Sequence, residues 1–278
     1  MGCSASMEGE PAALPYRDSF QGSDTPSNLE FAILRTRWLK EHLEGNTSIR
    51  AERENFTTGK EANLMIALRF PGPGSLTFLG GSDGILMEMG FLFRRWPLFG
   101  GWEEMKIRRV VKVEAPSALA DGGTWEMPIR FPLDLPADPS SVWEAKVQAR
   151  ARLGGVLFNG QELPLQSLEF AGGEFQVLPE GWEALAEDPL GNLEFALSGA
   201  GAQGDQWVLC SCALVGDEEK EVALGLLVGS LDKLPDSLRV ASAISALRFL
   251  SKEDAGAGPQ AWKEWWEHRT MSSSATPR

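Results

Sequence analysis

The chain has 278 residues, with 26 Lys and Arg against 39 Asp and Glu for a formal net charge of −13, and 43% hydrophobic residues that include ten Trp and fourteen Phe. That length supports one large or two ordinary domains with a sizeable core, and the acidic balance disfavours nucleic acid because phosphate is repelled on average. Three cysteines, Cys3, Cys210 and Cys212, are too few and too irregularly spaced for a disulfide framework or a zinc site, and no stretch approaches the roughly 20 apolar residues that span a bilayer.

The first six residues, M-G-C-S-A-S, fit the N-myristoylation pattern M-G-x-x-x-[ST], with Gly2 as acceptor, Ser6 at the favoured position and Cys3 placed to take a second chain. The same letters resemble the end of a bacterial lipobox, in which a small residue precedes the lipidated cysteine. Both readings make Cys3 an acyl site. Residues 5 to 28 are rich in Ser, Pro, Gly and acids and lack periodicity, which predicts a flexible acidic leader over residues 1–28.

Leu29, Ala32, Ile33, Leu34, Leu39 and Leu43 recur at helical spacing and Gly45 follows, predicting a helix within residues 29–45. From 46 to 180 the texture becomes short apolar or alternating runs: SIRAERENF, NLMIALRF, SLTFL, GILMEMGFLF, KIRRVVKVEA, WEMPIRFPL, WEAKVQARARL and EFQVL. Alternation is cleanest from Trp143 to Leu153, where Trp143, Ala145, Val147, Ala149, Ala151 and Leu153 share one face of a half-buried antiparallel strand. Turn signals PGPG at 71–74, GGSDG at 80–84 and ADGG at 120–123 separate the runs, and the whole argues a β-sandwich.

Helical period returns over residues 181–269. GWEALAEDPL and NLEFALSGAG each offer about two turns. Helices follow at 206–215, at 217–231 with Asp217, Glu218 and Glu219 in the first turn, at 236–250, and from Pro259, with a disordered tail at 270–278. Cys210 and Cys212 on one helix would lie about 200° apart, so one faces the core. Trp262, Trp265 and Trp266 stand at i, i+3 and i+4, a stripe that closes a helical stack.

Ala246, Leu247, Arg248 and Leu250, then Asp254 and Gly256, then Pro259, Ala261, Trp262, Trp265 and Trp266 spell A-L-R-x-L … P-x-A-W-x-x-W-W. This stretch resembles the closing segment of bacterial HEAT-type helical repeat proteins. The resemblance covers about the last 50 residues and implies one helical pair with a Trp cap, since no second copy at the repeat period stands upstream. Its functional implication is analogy alone.

Catalytic signals are sparse. The histidines, His42 and His268, are expected in last turns, where a partly charged ring complements the helix dipole. No G-x-S-x-G, Walker A or G-x-G-x-x-G motif occurs. The acidic pairs Glu103-Glu104, Glu218-Glu219 and Glu253-Asp254 read as solvated charge, and D-G-G at 121–123 lacks further calcium ligands. The expected protein is therefore α+β, an antiparallel β-sandwich followed by a small HEAT-like helical domain, with no catalytic, cofactor or metal residue assigned and no cofactor. It is expected to be non-enzymatic, tethered at the cell envelope through Cys3 or Gly2, and to bind a protein partner and not nucleic acid. The alternatives are a soluble cytoplasmic carbohydrate- or peptide-binding sandwich that exposes Trp96, Trp102 or Trp125 in loops, and a carboxylate-dependent hydrolase.

Overall fold

Side-chain alternation builds most of the β region. In the computed structural model, which describes residues 28–79, 84–97, 102–116, 118–136, 141–198 and 204–274, twelve strands follow a first helix, α1 (Asn28–Glu44). They are β1 (Thr47–Ala51), β2 (Asn55–Thr57), β3 (Glu61–Arg69), β4 (Ser75–Phe78), β5 (Ile85–Trp96), β6 (Glu103–Val113), β7 (Leu119–Ala120), β8 (Thr124–Pro132), β9 (Val142–Arg152), β10 (Val156–Phe158), β11 (Gln161–Leu163) and β12 (Ser167–Leu178). Every second residue of β9 from Trp143 to Ala151 is buried, as the alternation requires, while Lys146, Gln148, Arg150 and Arg152 face outward.

The strands form three sheets, ordered β1-β3-β8, β11-β10-β4-β7 and β2-β12-β9-β5-β6. All pairings are antiparallel except β2 with β12. One hydrophobic core takes residues from all three: Ile66 from the first, Phe158 from the second, Phe91 and Phe93 from the third, with Leu39 and Leu43 of α1 packed against them. Phe91 stacks on Phe131 with ring centroids 3.8 Å apart.

The stretch expected as one strand, SIRAERENF, is two: the exposed turn Glu52-Arg53-Glu54 sends β1 and β2 into different sheets. The strands β7, β10 and β11 are two or three residues long, too short to show a period, and β12 shifts register between Phe170 and Gly173, where Gly172 and Gly173 interrupt the alternation. Gly74, exposed in the turn just before β4, has φ +116, and a Cβ there would meet Asn159 Oδ1 at 2.1 Å.

The helices are α2 (Pro189–Leu197), α3 (Gly204–Leu214), α4 (Lys220–Ser230), α5 (Ser237–Ser251) and α6 (Pro259–Ser274). GWEALAEDPL is not one helix: residues Trp182–Leu185 make a 3₁₀ turn, and Asp188 then caps α2 by accepting from Gly191 N at 2.9 Å. Asp217, Glu218 and Glu219 precede α4 instead of filling its first turn, which holds Glu221. Helix α6 continues to Ser274, into the expected tail.

Cys210 and Cys212 correct the one-face expectation. Val208 through Cys212 are all buried, because this stretch of α3 packs against α2, α5, the 3₁₀ turn and β9, and neither cysteine is in a disulfide. Burial pushes the Cys210 thiol up to about 12 and Cys212 higher still. No helix among the described residues is long and apolar enough to cross a membrane. The fold is mixed α+β, six helices and three mostly antiparallel sheets among the described residues. Its helical core is continuous with Trp96, Val142 and Leu178 at the ends of β5, β9 and β12, so the five-stranded sheet is where the two cores join.

Candidate functional site

Register places one polar residue on each strand of the five-stranded sheet in a single row. Glu104 of β6 stands opposite Arg94 of β5, Arg94 opposite Glu144 of β9, Glu144 opposite Gln176 of β12, and Gln176 opposite Asn55 of β2. Next to this row the C-terminal end of α3 and the residue after α5, Lys252, close a groove of about 760 Å³ between sheet and helices.

Glu144 is the hub. Its Oε2 accepts from Trp96 Nε1 at 2.6 Å, and its Oε1 takes the Lys252 ammonium. That ammonium also lies 4.1 Å from the Phe249 ring centroid and 5.2 Å from the Trp96 centroid. Burial lowers the Lys252 pKa below the ordinary lysine value, outweighing the opposite pull of Glu144. Two further pairs occupy the surrounding face, Arg94 with Glu104 at 3.3 Å and Lys146 with Glu174 at 2.8 Å.

Lys252 is held in place by the loop that carries the HEAT-like letters. It adopts φ 60°, a left-handed conformation that disfavours a side chain by about 1–2 kcal/mol. Arg248 secures that loop, donating from Nε to Asp254 Oδ1 at 2.9 Å and from Nη2 to Gly256 O at 3.2 Å. The same Gly256 carbonyl accepts Trp262 Nε1 at 2.9 Å. Arg248, Asp254, Gly256 and Trp262 are thus one hydrogen-bonded cluster, and its structural product is the position of Lys252. Trp262 is fully buried, while Trp265 and Trp266 are partly buried against the helical core.

The groove is incompletely satisfied. Arg94 Nε, a donor, and Gln176 Oε1, an acceptor, are buried without a hydrogen-bond partner, and such orphans are uncommon because each carries a desolvation penalty of about 1–3 kcal/mol. On the rim, Glu54 and Asp217 make no ion pair with a described residue. The α3 C-terminus beside Asp217 adds its partial negative charge. With its three cations each committed to an acid, the groove's uncommitted charge is negative.

The expected sites fare unevenly. Gly2 and Cys3 lie outside the described residues. Trp96 and Trp125 are not exposed loop aromatics: both lie in strands and are buried, at 4% and 6% exposure. Trp102 is half exposed, with the Arg94 guanidinium 4.5 Å from its ring centroid. His42 does sit in the last turn of α1, stacked on Trp38 at 4.9 Å, and burial lowers its pKa, which opposes the charge expected there. His268 precedes the last turn of α6. Glu103 and Glu104 pair with Arg95 and Arg94 of β5, Glu253 accepts from Trp265 and pairs with Arg269, and Asp254 accepts from Arg248, so the two acids of each pair have different partners. No group of three metal-ligating side chains occurs among the described residues. The groove itself escaped sequence reading. Glu144, Lys146 and the other polar positions of β9 read as an outward face, but nothing in the sequence set the register that aligns them with Arg94 and Gln176.

The sequence matches no family model and no curated protein. Among solved structures, the sporulation control protein Spo0M of Bacillus subtilis is 13% identical over 53% of this chain and 55% of that one, with a TM-score of 0.29. The Pseudomonas fluorescens alkylpurine DNA glycosylase AlkC, bound to DNA containing an abasic site analogue, is 14% identical over 58% and 40%, at TM-score 0.25. AvmM, which catalyses macrocyclisation in alchivemycin A biosynthesis, is 10% identical over 49% and 90%, at TM-score 0.27. The chain spans about half the length of the first two, and at these scores none bears on fold or function.

Proposed function

We propose that this chain is a non-enzymatic protein-interaction module whose polar groove receives a basic segment of a partner protein. The observation that carries the reading is the cross-sheet row whose Arg94 and Gln176 each hold an orphaned polar atom, beside two uncommitted carboxylates and a helix C-terminus. A lysine or arginine side chain of the partner would find Glu54 and Asp217 for its charge. Its backbone carbonyl and amide would satisfy Arg94 Nε and Gln176 Oε1. The net charge of −13 favours the same partner at long range. A catalytic role would need Lys252 or Glu144 available to a substrate, and each holds the other.

In this reading the three sheets make a β-sandwich over residues 46–180, the helices at 181–269 form a HEAT-like unit with a Trp cap, and the N-terminal leader tethers both to a membrane at the cell envelope through Cys3 and Gly2. Two acyl chains hold firmly where one binds marginally. Detergent-phase partition of the natural gene product, with Cys3 intact or as Cys3→Ser, tests the tether: the intact form enters the detergent phase, and wholly aqueous partition with no acyl mass refutes it.

Titration calorimetry with the probe peptide Gly-Lys-Gly-Lys-Gly tests the groove. Asp217→Asn and Glu54→Gln should each weaken binding about fivefold, the equivalent of roughly 1 kcal/mol. Glu61→Gln, at an exposed acid on β3, should leave it unchanged. Equal weakening by all three, or no binding, refutes a located site.

A further inference from the structure

A second surface, the edge strand of the sheet that floors the groove, carries a different chemistry. Strand β6 ends its sheet and pairs with β5 along its full length, Glu103 opposite Arg95 through Val113 opposite Ile85. Apart from its ladder with β5, no backbone group of β6 bonds to a described residue, so among the described residues one row of N–H and C=O groups is unpaired along this eleven-residue strand. The other sheet edges are defended: β1, β2, β7 and β11 have five residues or fewer, and β8 contains Pro128 and Pro132, which have no N–H to donate. Strand β6 has no proline.

Its charge runs against that of the chain. From Met105 to Val113 it carries Lys106, Arg108, Arg109 and Lys112 and no acid, in a protein of net charge −13. Arg109 lies on the core side, over Phe131 and 4.0 Å from Asp134. Lys106, Arg108 and Lys112 are exposed on the outer face and make no ion pair with a described residue. On the inner face Met105, Ile107, Val111 and Val113 are only half covered, and a recess of about 480 Å³ opens beside Val113 toward Trp125 and Met127 of β8.

We propose that β6 is a strand-addition site for an acidic, extended segment of a partner polypeptide, with acids at alternate positions against Lys106, Arg108 and Lys112 and apolar residues between them against Ile107, Val111 and Val113. The backbone supplies the hydrogen bonds and the alternation supplies the specificity. A full-length antiparallel pair of β6 with a second copy would set Arg108 against Arg108 at its centre, which disfavours that occupant.

The test uses the full chain and a nine-residue peptide of alternating Val and Glu, labelled for fluorescence anisotropy. Binding should be saturable, and hydrogen exchange at the β6 amides should slow about tenfold in the complex. The double variant Lys106→Glu, Arg108→Glu, at two exposed positions, should weaken binding at least about tenfold, which is roughly 1.4 kcal/mol. The same peptide N-methylated at alternate residues keeps its charge and loses its donors, so it should not bind. Equal binding of the methylated peptide, or stronger binding to vesicles of phosphatidylglycerol than to the peptide, would show a charge-only surface and overturn strand addition. Absence of β6 protection would overturn it as well.

Discussion

Replacing Trp262 by Ala removes the largest fully buried side chain among the described residues. Truncations of buried Trp or Phe to Ala remove about 3–5 kcal/mol through lost transfer energy and the cavity left behind. The indole also donates to Gly256 O at 2.9 Å, worth about 1 kcal/mol net. That carbonyl keeps Arg248 Nη2 at 3.2 Å, so no orphaned acceptor adds to the loss. We therefore expect Trp262→Ala to destabilise by about 4 kcal/mol and to lower the melting temperature by roughly 10 °C, taking about 2–4 °C per kcal/mol for a chain of this size. Trp262→Phe keeps most of the volume and should lose about 1–2 kcal/mol. Trp265→Ala should fall at or below the Phe variant, because Trp265 is partly exposed and its Nε1 bond goes to the exposed Glu253 carboxylate. Calorimetric or circular-dichroism melting of the three variants checks both magnitude and order. If Trp262→Ala melts within about 2 °C of the parent, or if Trp265→Ala is the worse variant, the reasoning about the cap fails.

Burial of the two C-x-C thiols predicts chemical silence: in a Cys3→Ser background neither Cys210 nor Cys212 should react with Ellman's reagent at about pH 8, where a thiol with pKa about 12 is roughly 1 part in 10,000 thiolate. Both should react once denatured, and fast reaction of the native protein would refute the enclosed position of α3. His42 should make the protein less stable in mild acid. Its folded pKa lies below the ordinary 6.5, so the unfolded chain binds the proton more readily and stability falls as pH drops through and below that value. Urea unfolding at about pH 7 and pH 5 should show a loss that His42→Phe removes, and an unchanged pH slope in the variant would refute it. Asp254 and Glu221, whose pKa values are lowered first by hydrogen bonds from Arg248 and Arg269, contribute in the same direction only at lower pH, as they protonate. Gly74→Ala should lose about 1–3 kcal/mol, since it combines a positive φ with a Cβ that meets Asn159 Oδ1; a melting temperature equal to the parent would count against that turn geometry.

Periodicity made the individual elements legible and their assembly illegible. The alternation of β9 and the helical spacing of α1 and α5 are properties of one segment, so Trp143 to Leu153 could be assigned a face from the sequence alone. The groove depends on which strands are neighbours and in what register. A one-residue slip of β12 would replace Gln176 by Phe175 in the row, and no local pattern forbids it. The C-x-C pair misled for a related reason: a helix predicts two faces, but burial on both faces is set by how many neighbours surround it. The motif Arg248, Asp254, Gly256 and Trp262 was visible as letters, and only the fold shows that these side chains meet and hold Lys252 at φ 60°. The β6 charges were visible as KIRRVVKV, while their place on an open edge was not.

Whether the groove is the binding site is read out by a nitrogen-15 NMR titration of the full chain with the Gly-Lys-Gly-Lys-Gly probe. The side-chain amides of Gln176 and Asn55 and the backbone amides of Gly216, Asp217 and Lys252 should shift together and saturate, with one dissociation constant that Asp217→Asn raises. Shifts scattered over exposed acids elsewhere, or a titration that leaves Gln176 and Asn55 unmoved while other residues saturate, would show that the groove does not bind the probe.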